Sequence, residues 1–372
     1  MPAATTKDSL TALVLQGGGA LGAYQGGVYA ALAAAGQTPD WVAGISIGAI
    51  NAAIIAGNPP EKRISSLRGF WDRVSSQVTV SPLMPDGPLR TWFSGWSAGV
   101  TAMTGIPGFF EPRFPPPALA MPGSFAAISY YDTAPLRQTL LDFVDFDLIN
   151  ARATRFSVGA VNVLTGNFVY FDNHERTIGP EHVMASGALP PGFPPVIIDG
   201  EPYWDGGIVS NTPLQFVLDN RADGNITVFQ VDLFSARGPM PLTIVDADQR
   251  EKDIRFSSRT RLNTDMEKEL LKLRAAMKRL AAKLPSDLKD DPDVQLLSNC
   301  RSEGAVTIMH LINRPEPYET ACKDFEFSRQ TVNGHWDSGQ ADAEHSLRHP
   351  RWTGRTVHST GVVIFDLTAE PA

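Results

Sequence analysis

Cysteine is almost missing from this chain of 372 residues: Cys300 and Cys322 are the only two. Thiols so few and so far apart cannot supply a metal cluster or a disulfide framework, so both read as buried or surface thiols and a reducing compartment is expected. A basic excess is missing too. Lys and Arg number 32 against 40 Asp and Glu, a formal net charge of −8 with an isoelectric point near 5.4. Without a dominant basic footprint a nucleic-acid partner is excluded. No apolar run approaches the roughly 18 residues that span a bilayer, since AINAAIIAG breaks at Gly57 and Pro59. Membrane contact is therefore expected to be peripheral at most, with a cytoplasmic location. The opening MPAATTKDSLTALVLQGGG lacks a basic region and a cleavage-like site, which predicts a first strand and not a signal peptide.

What is present is a globular composition, 43% hydrophobic and 19% charged. LTALVLQ reads as a buried strand stopped by glycines and AYQGGVYAALAAAG as a helix ended by Gly36; PDWVAGIS and IGAINAAIIAG repeat the order. Alternating strands and helices predict a mostly parallel central sheet with helices on both faces. From about 81 to 131 prolines crowd in among Trp92, Phe93, Trp96, Met103, Phe109, Phe110 and Phe114. Regular structure is not expected there; the segment is either draped on the core or a lid over an apolar cleft. Residues 133–150 predict a helix, 155–173 two strands around the turn at Thr165 and Gly166, and 226–234 a further buried strand. Beyond about 235 the composition shifts. Residues 255–284 read as one long helix with a heptad seam of Met266, Leu270, Leu273, Met277, Leu280 and Leu284, and nine Lys or Arg against three Asp or Glu. That seam is expected to lie on its own domain with the basic face in solvent, in preference to a membrane-surface or dimer-forming helix. Strands at AVTIMHLIN and TGVVIFDL and a helix around SGQADAEHSLRH complete the tail.

Two stretches carry chemistry. QGGGALGAYQGG, 16–27, follows the first strand, and Gly17, Gly19 and Gly22 spell the G-x-G-x-x-G of a dinucleotide site. The same loop could instead supply N–H groups to the oxyanion of an acyl-transfer reaction. GISIG, 44–48, fits G-x-S-x-G between a strand and a helix, where a nucleophile elbow exposes its serine; the plainer reading of Ser46 is a helix N-cap. None of the seven histidines (174, 182, 310, 335, 345, 349 and 358) sits in a catalytic context. Carboxylates are the other source of a base. Asp199 with Gly200 has the signature of a hairpin turn. Asp205, before Gly206 and Gly207, ends a strand and is either a turn aspartate or a base.

The loop GGGALG, the elbow GISIG, the segment MASGALPPGFPPV and the DGG of 205–207 occur in the order and rough spacing of the patatin-like phospholipases, which the chain resembles over about residues 10–235. The resemblance implies a three-layer α/β catalytic domain, here 8–235, followed by a helical C-terminal extension, 236–372, of a kind found in some bacterial members. It implies a lipid acyl hydrolase with a serine–aspartate dyad and no histidine: Ser46 as nucleophile, Asp205 as its partner, and Gly17, Gly18, Gly19 and Ala20 as the oxyanion loop. The substrate would be a lipid or acyl ester. Where many members carry an arginine or lysine in the loop, this chain has Leu21, so no side-chain anion contact is implied there. The dinucleotide reading, an oxidoreductase, wants an acidic residue after the second strand; Asp40 comes before it and Ser46 stands at its end, so the loop is read as an oxyanion hole. An inert lipid-binding protein is a third reading, disfavoured because Ser46, Asp205 and the glycines are all intact. Neither a metal nor an organic cofactor is implied.

Overall fold

A computed structural model of the protein describes residues 9–79, 88–222, 224–258, 291–298, 304–314, 322–355 and 361–368, and part of 266–284. In chain order, β1 (Ser9–Leu15) leads through a short 3-10 turn, Gly19–Gly22, into α1 (Ala23–Ala34), then β2 (Trp41–Gly44), α2 (Ile47–Ala56), α3 (Pro60–Val74) and α4 (Pro88–Thr104). The two-residue strands β3 (Glu111–Pro112) and β4 (Tyr131–Asp132) bracket a loop. Next come α5 (Ala134–Phe143), α6 (Phe146–Asn150), β5 (Arg155–Asn162), β6 (Phe168–Asp172), α7 (Pro180–Ser186), β7 (Val196–Ile198) and β8 (Glu201–Asp205). The rest is α8 (Leu214–Asn220), β9 (Asn225–Asp232), α9 (Ile244–Phe256), α10 (Pro292–Ser298), β10 (Val306–Ile312), α11 (Arg329–Arg348), α12 (Pro350–Thr353) and β11 (Val362–Phe365).

The main sheet runs β11-β10-β9-β1-β2-β5-β8-β7, with β6 also on β5. Every pairing from β11 to β5 is parallel; β6, β7 and β8 add antiparallel contacts at the far side. Strands buried on both faces explain the unbroken apolar runs. Along β1, Ala12 and Val14 join the core beneath α8, whereas Leu13 and Leu15 face the larger core of α1 and α2. The sheet is thus the middle of three layers, the mostly parallel α/β architecture expected. β10 and β11 carry this same sheet onward beyond β9.

Several elements differ from expectation. The segment 81–131 contains a regular helix, α4, because between Pro88 and Pro107 no proline interrupts it and Phe93, Ser97, Ala98 and Thr101 repeat at helical spacing on its buried side. Residues 80–87 lie outside the described part. The helix expected over 133–150 is two, broken where the Asp145 side chain accepts the N–H of Leu148 at 3.0 Å and caps α6. Helix α11 begins at Arg329, nine residues ahead of the expected stretch, capped by Ser328. Most consequentially, no helix runs unbroken over 255–284: α9 ends at Phe256, and Ser257 is extended. The described residues from 266 to 280 are helical, but Met266, Leu270, Leu273 and Leu280 are exposed, so the apolar seam is not laid on the domain as expected. Periodicity sets a helix's apolar stripe but not the surface that covers it.

Candidate active site

Ser46 sits between β2 and α2 with φ 54° and ψ −124°, a left-handed conformation that a non-glycine residue adopts only under constraint. The glycines on either side permit it: a Cβ on Gly44 would run into the carbonyl of Gly48, and one on Gly48 into the carbonyl of Leu15. The Ser46 N–H donates to the carbonyl of Ser186 at 3.0 Å and to its hydroxyl at 3.1 Å, tying the turn to the end of α7. Although Ser46 holds the N-cap position of α2, its side chain makes no capping hydrogen bond. The hydroxyl is left for other chemistry.

Sheet register brings Asp205 to it. Gly44 pairs with Val158 on β5, and Ala160, two residues further along β5, pairs with Asp205 on the antiparallel β8. The chain two residues beyond Gly44 is Ser46, so serine and aspartate meet across the end of β5. Asp205 is 2% exposed, accepts the Gly207 N–H at 2.7 Å, and has the Ser46 side chain as a hydrogen-bonding partner. Burial pushes its pKa from 3.8 up to about 7, against the opposing pull of the Ser46 and Gly207 hydrogen bonds. Asp199, by contrast, occupies the β7–β8 turn with φ 52°, followed by Gly200 at 87°, the paired left-handed residues of a tight hairpin.

The glycine cluster divides into two jobs. Gly17, Gly18 and Gly19 line a cavity of about 740 Å³ together with Ser46 and Asp205, while Ala20 is fully buried behind the loop and outside that lining. The Gly17 N–H is occupied, donating to the Asn211 carbonyl at 3.3 Å. Gly19 has φ 56° and opens the 3-10 turn, whose first N–H groups have no carbonyl ahead of them within the turn. Gly26 and Gly27, on α1, serve packing instead: a Cβ at either would strike Trp336 of α11, and one at Gly339 would strike the Tyr24 carbonyl.

Several residues that hold the loop are not marked in the sequence. Asn211 Nδ2 donates to the carbonyls of Gly17 at 3.0 Å and Phe256 at 2.9 Å. Gln16, fully buried, accepts the N–H groups of Leu233 and Phe234 at 2.6 and 2.9 Å and donates to Thr212 at 2.9 Å. Asn51 bridges Gly22 and Gln25 and accepts from the Trp71 indole. A buried polar network this fully satisfied fixes backbone rigidly. From the C-terminal region, the Asp324 carbonyl abuts Gly19, and the Asp324 carboxylate pairs with Lys252 at the cavity wall. The remaining wall is aromatic, with Phe110 and Phe193 at 5.1 Å and Phe109 and Phe327 at 6.3 Å between ring centres. No histidine is among the described residues lining it. Asp40 lies at the opposite end of the sheet, where it accepts the Thr11 N–H at 2.8 Å, far from where a ribose beside the glycine loop would need it.

Residues 13–218, more than half of the chain, match the family model of the patatin-like phospholipases. The chain belongs to that family. A second model, described as patatin phospholipase, matches residues 254–359. Among the solved structures similar to this patatin-like chain are two of low identity. One is VipD from Legionella pneumophila, 14% identical, with a TM-score of 0.35, covering 89% of this chain and 67% of that one. The other is human GIVD cytosolic phospholipase A2 in complex with methyl gamma-linolenyl fluorophosphonate, 14% identical, with a TM-score of 0.32, covering 60% of this chain and 40% of that one. No curated protein matches it in sequence. Membership places the chain among lipid acyl hydrolases. Among the described residues, no helix is long and apolar enough to cross a membrane.

Proposed function

We propose that this patatin-like chain hydrolyses carboxylic esters of lipids through a Ser46–Asp205 dyad and an acyl-enzyme. The observation that carries the reading is a buried carboxylate with a raised pKa in contact with a strained, uncapped serine, both on the wall of one apolar cavity. Asp205 accepts the Ser46 proton as the hydroxyl attacks the ester carbonyl, then returns it to the departing alcohol. Water, deprotonated by the same carboxylate, releases the acyl group. A base titrating near 7 is matched to this exchange at neutral pH, which an aspartate of ordinary pKa is not.

In this reading the N–H groups of Gly18 and Gly19, with Ala20 next in the turn, receive the oxyanion. Each such donor contributes about 3 to 4 kcal/mol to the transition state. Gly17, its amide committed to Asn211, holds the loop in register and leaves room beside Ser46. The aromatic wall fits an acyl chain. Hydrolysis of p-nitrophenyl esters of increasing chain length tests the proposal: Ser46→Ala and Asp205→Asn, each checked for folding by circular dichroism, are expected to lose on the order of 10³-fold or more in kcat. Full activity in Asp205→Asn would place the base elsewhere.

A further inference from the structure

The segment 88–130 carries three charged residues, Arg90, Glu111 and Arg113. Two of these are engaged within the protein: Arg90 is buried and donates to Gln330 and Thr331, and Arg113 pairs with Asp132 at 3.1 Å. Yet the same segment holds a concentration of large exposed apolar side chains. Trp92, Trp96 and Met103 lie at i, i+4 and i+11, one stripe along the outer side of α4, with Met103 80% exposed. In the loop between β3 and β4, Phe114, Leu119 and Met121 are 96%, 76% and 80% exposed. A concentration of exposed apolar side chains of this size marks an interaction site.

Both parts adjoin the cavity. Phe109 and Phe110, between α4 and β3, form part of its wall. The loop's return is hydrogen-bonded to the opposite rim, Tyr130 N–H to the Pro191 carbonyl at 3.1 Å and Tyr131 N–H to that of Gly192 at 3.0 Å, beside the lining residues Pro190 and Phe193. The Tyr131 hydroxyl donates to the Ala102 carbonyl at 2.8 Å, joining loop and helix.

We infer that α4 and the 114–130 loop form a surface that inserts into an uncharged or zwitterionic lipid layer and presents the cavity mouth to it. The inference rests on the lipid-ester reading above. Tryptophan and tyrosine favour the boundary between headgroups and acyl chains, and an apolar face whose one exposed charge is the acidic Glu111, on an acidic protein, has nothing to offer anionic headgroups. A protein partner would draw its register from charged groups on the face, and Glu111 is the one exposed charged residue of 88–130.

The test uses vesicles of dialkyl ether-linked phosphatidylcholine, which have no ester to cleave, with p-nitrophenyl butyrate as a soluble substrate in parallel. Wild type is expected to sediment with the vesicles. Leu119→Asp/Met121→Asp and, independently, Trp92→Ser/Trp96→Ser are expected to lose partitioning by roughly tenfold or more, while turnover of the butyrate ester stays within about twofold of wild type. Wild type that remains in the supernatant, or variants that sediment like wild type, overturns the inference. So does a wild-type dimer in sedimentation velocity that both variants dissolve without vesicle binding, since the occupant would then be a second copy. Vesicle binding without butyrate turnover would overturn the site reading and leave the surface standing.

Discussion

At the scale of the residue, Asp205 combines a catalytic advantage with a stability penalty. Between 3.8 and about 7 the folded chain holds a proton that the unfolded chain has released, so this carboxyl's contribution to stability falls as pH rises through that window. Above it the penalty is on the order of 4 kcal/mol. Asp205→Asn is therefore expected to raise the melting temperature, by more at pH 8 than at pH 5; an equal difference at both would show that Asp205 does not titrate in this range. Activity should follow the opposite course, with kcat/KM rising to a plateau as pH passes about 7. A pH–rate profile flat from 5 to 8 would contradict the assignment. Ser46 stores strain of a different kind. Because its φ of 54° suits glycine, Ser46→Gly should be more stable than Ser46→Ala by on the order of 1 kcal/mol, measured by urea unfolding.

At the scale of the element, α1 and α11 approach so closely that backbone meets backbone through Gly27 and Gly339. Helix propensity alone favours alanine over glycine by about 1 kcal/mol. Gly339→Ala should nonetheless destabilise by about 1 to 3 kcal/mol, because its Cβ would strike the Tyr24 carbonyl and neither backbone can yield. Gly95 and Gly99 on α4 are the contrast: a Cβ there meets open space, so Gly99→Ala should stabilise by up to about 1 kcal/mol. Urea midpoints for the two variants should move in opposite directions. If both rise, propensity and not packing governs these helices.

At the scale of the whole molecule, the glycine loop is held from a long way off in sequence, by Asn211, by the carbonyl of Phe256 it shares, and by Asp324 against Gly19. β10 and β11 cover the edge of β9, and Trp336 fills the face of α1. Ending the chain after residue 235 would bare that edge and that face. The fragment 8–235 is expected to aggregate or lack fixed structure, checked by gel filtration and circular dichroism. A soluble, folded and active fragment would show that the region beyond 235 is not needed to shape the site.

Local sequence determined the elements that depend on local physics: apolar runs stopped by glycine became β1 and β2, Asp199-Gly200 became the tight turn, and G-x-S-x-G marked the strained corner where Ser46 stands. It also held the separate pieces of the candidate site in recognisable order. It did not show α4, whose apolar stripe is masked by aromatics at positions that face out, nor the exposure of the 266–280 seam. Only the tertiary structure decided which N–H groups of the loop are already committed, that Gly26 and Gly27 serve a helix contact, and that Asn211, Gln16 and Asp324 support the loop. The reason is one of distance along the chain. A residue's conformation is written in its neighbours, but the pairing of Gly44 with Val158 and of Ala160 with Asp205, which sets serine against aspartate, exists only once the sheet is assembled.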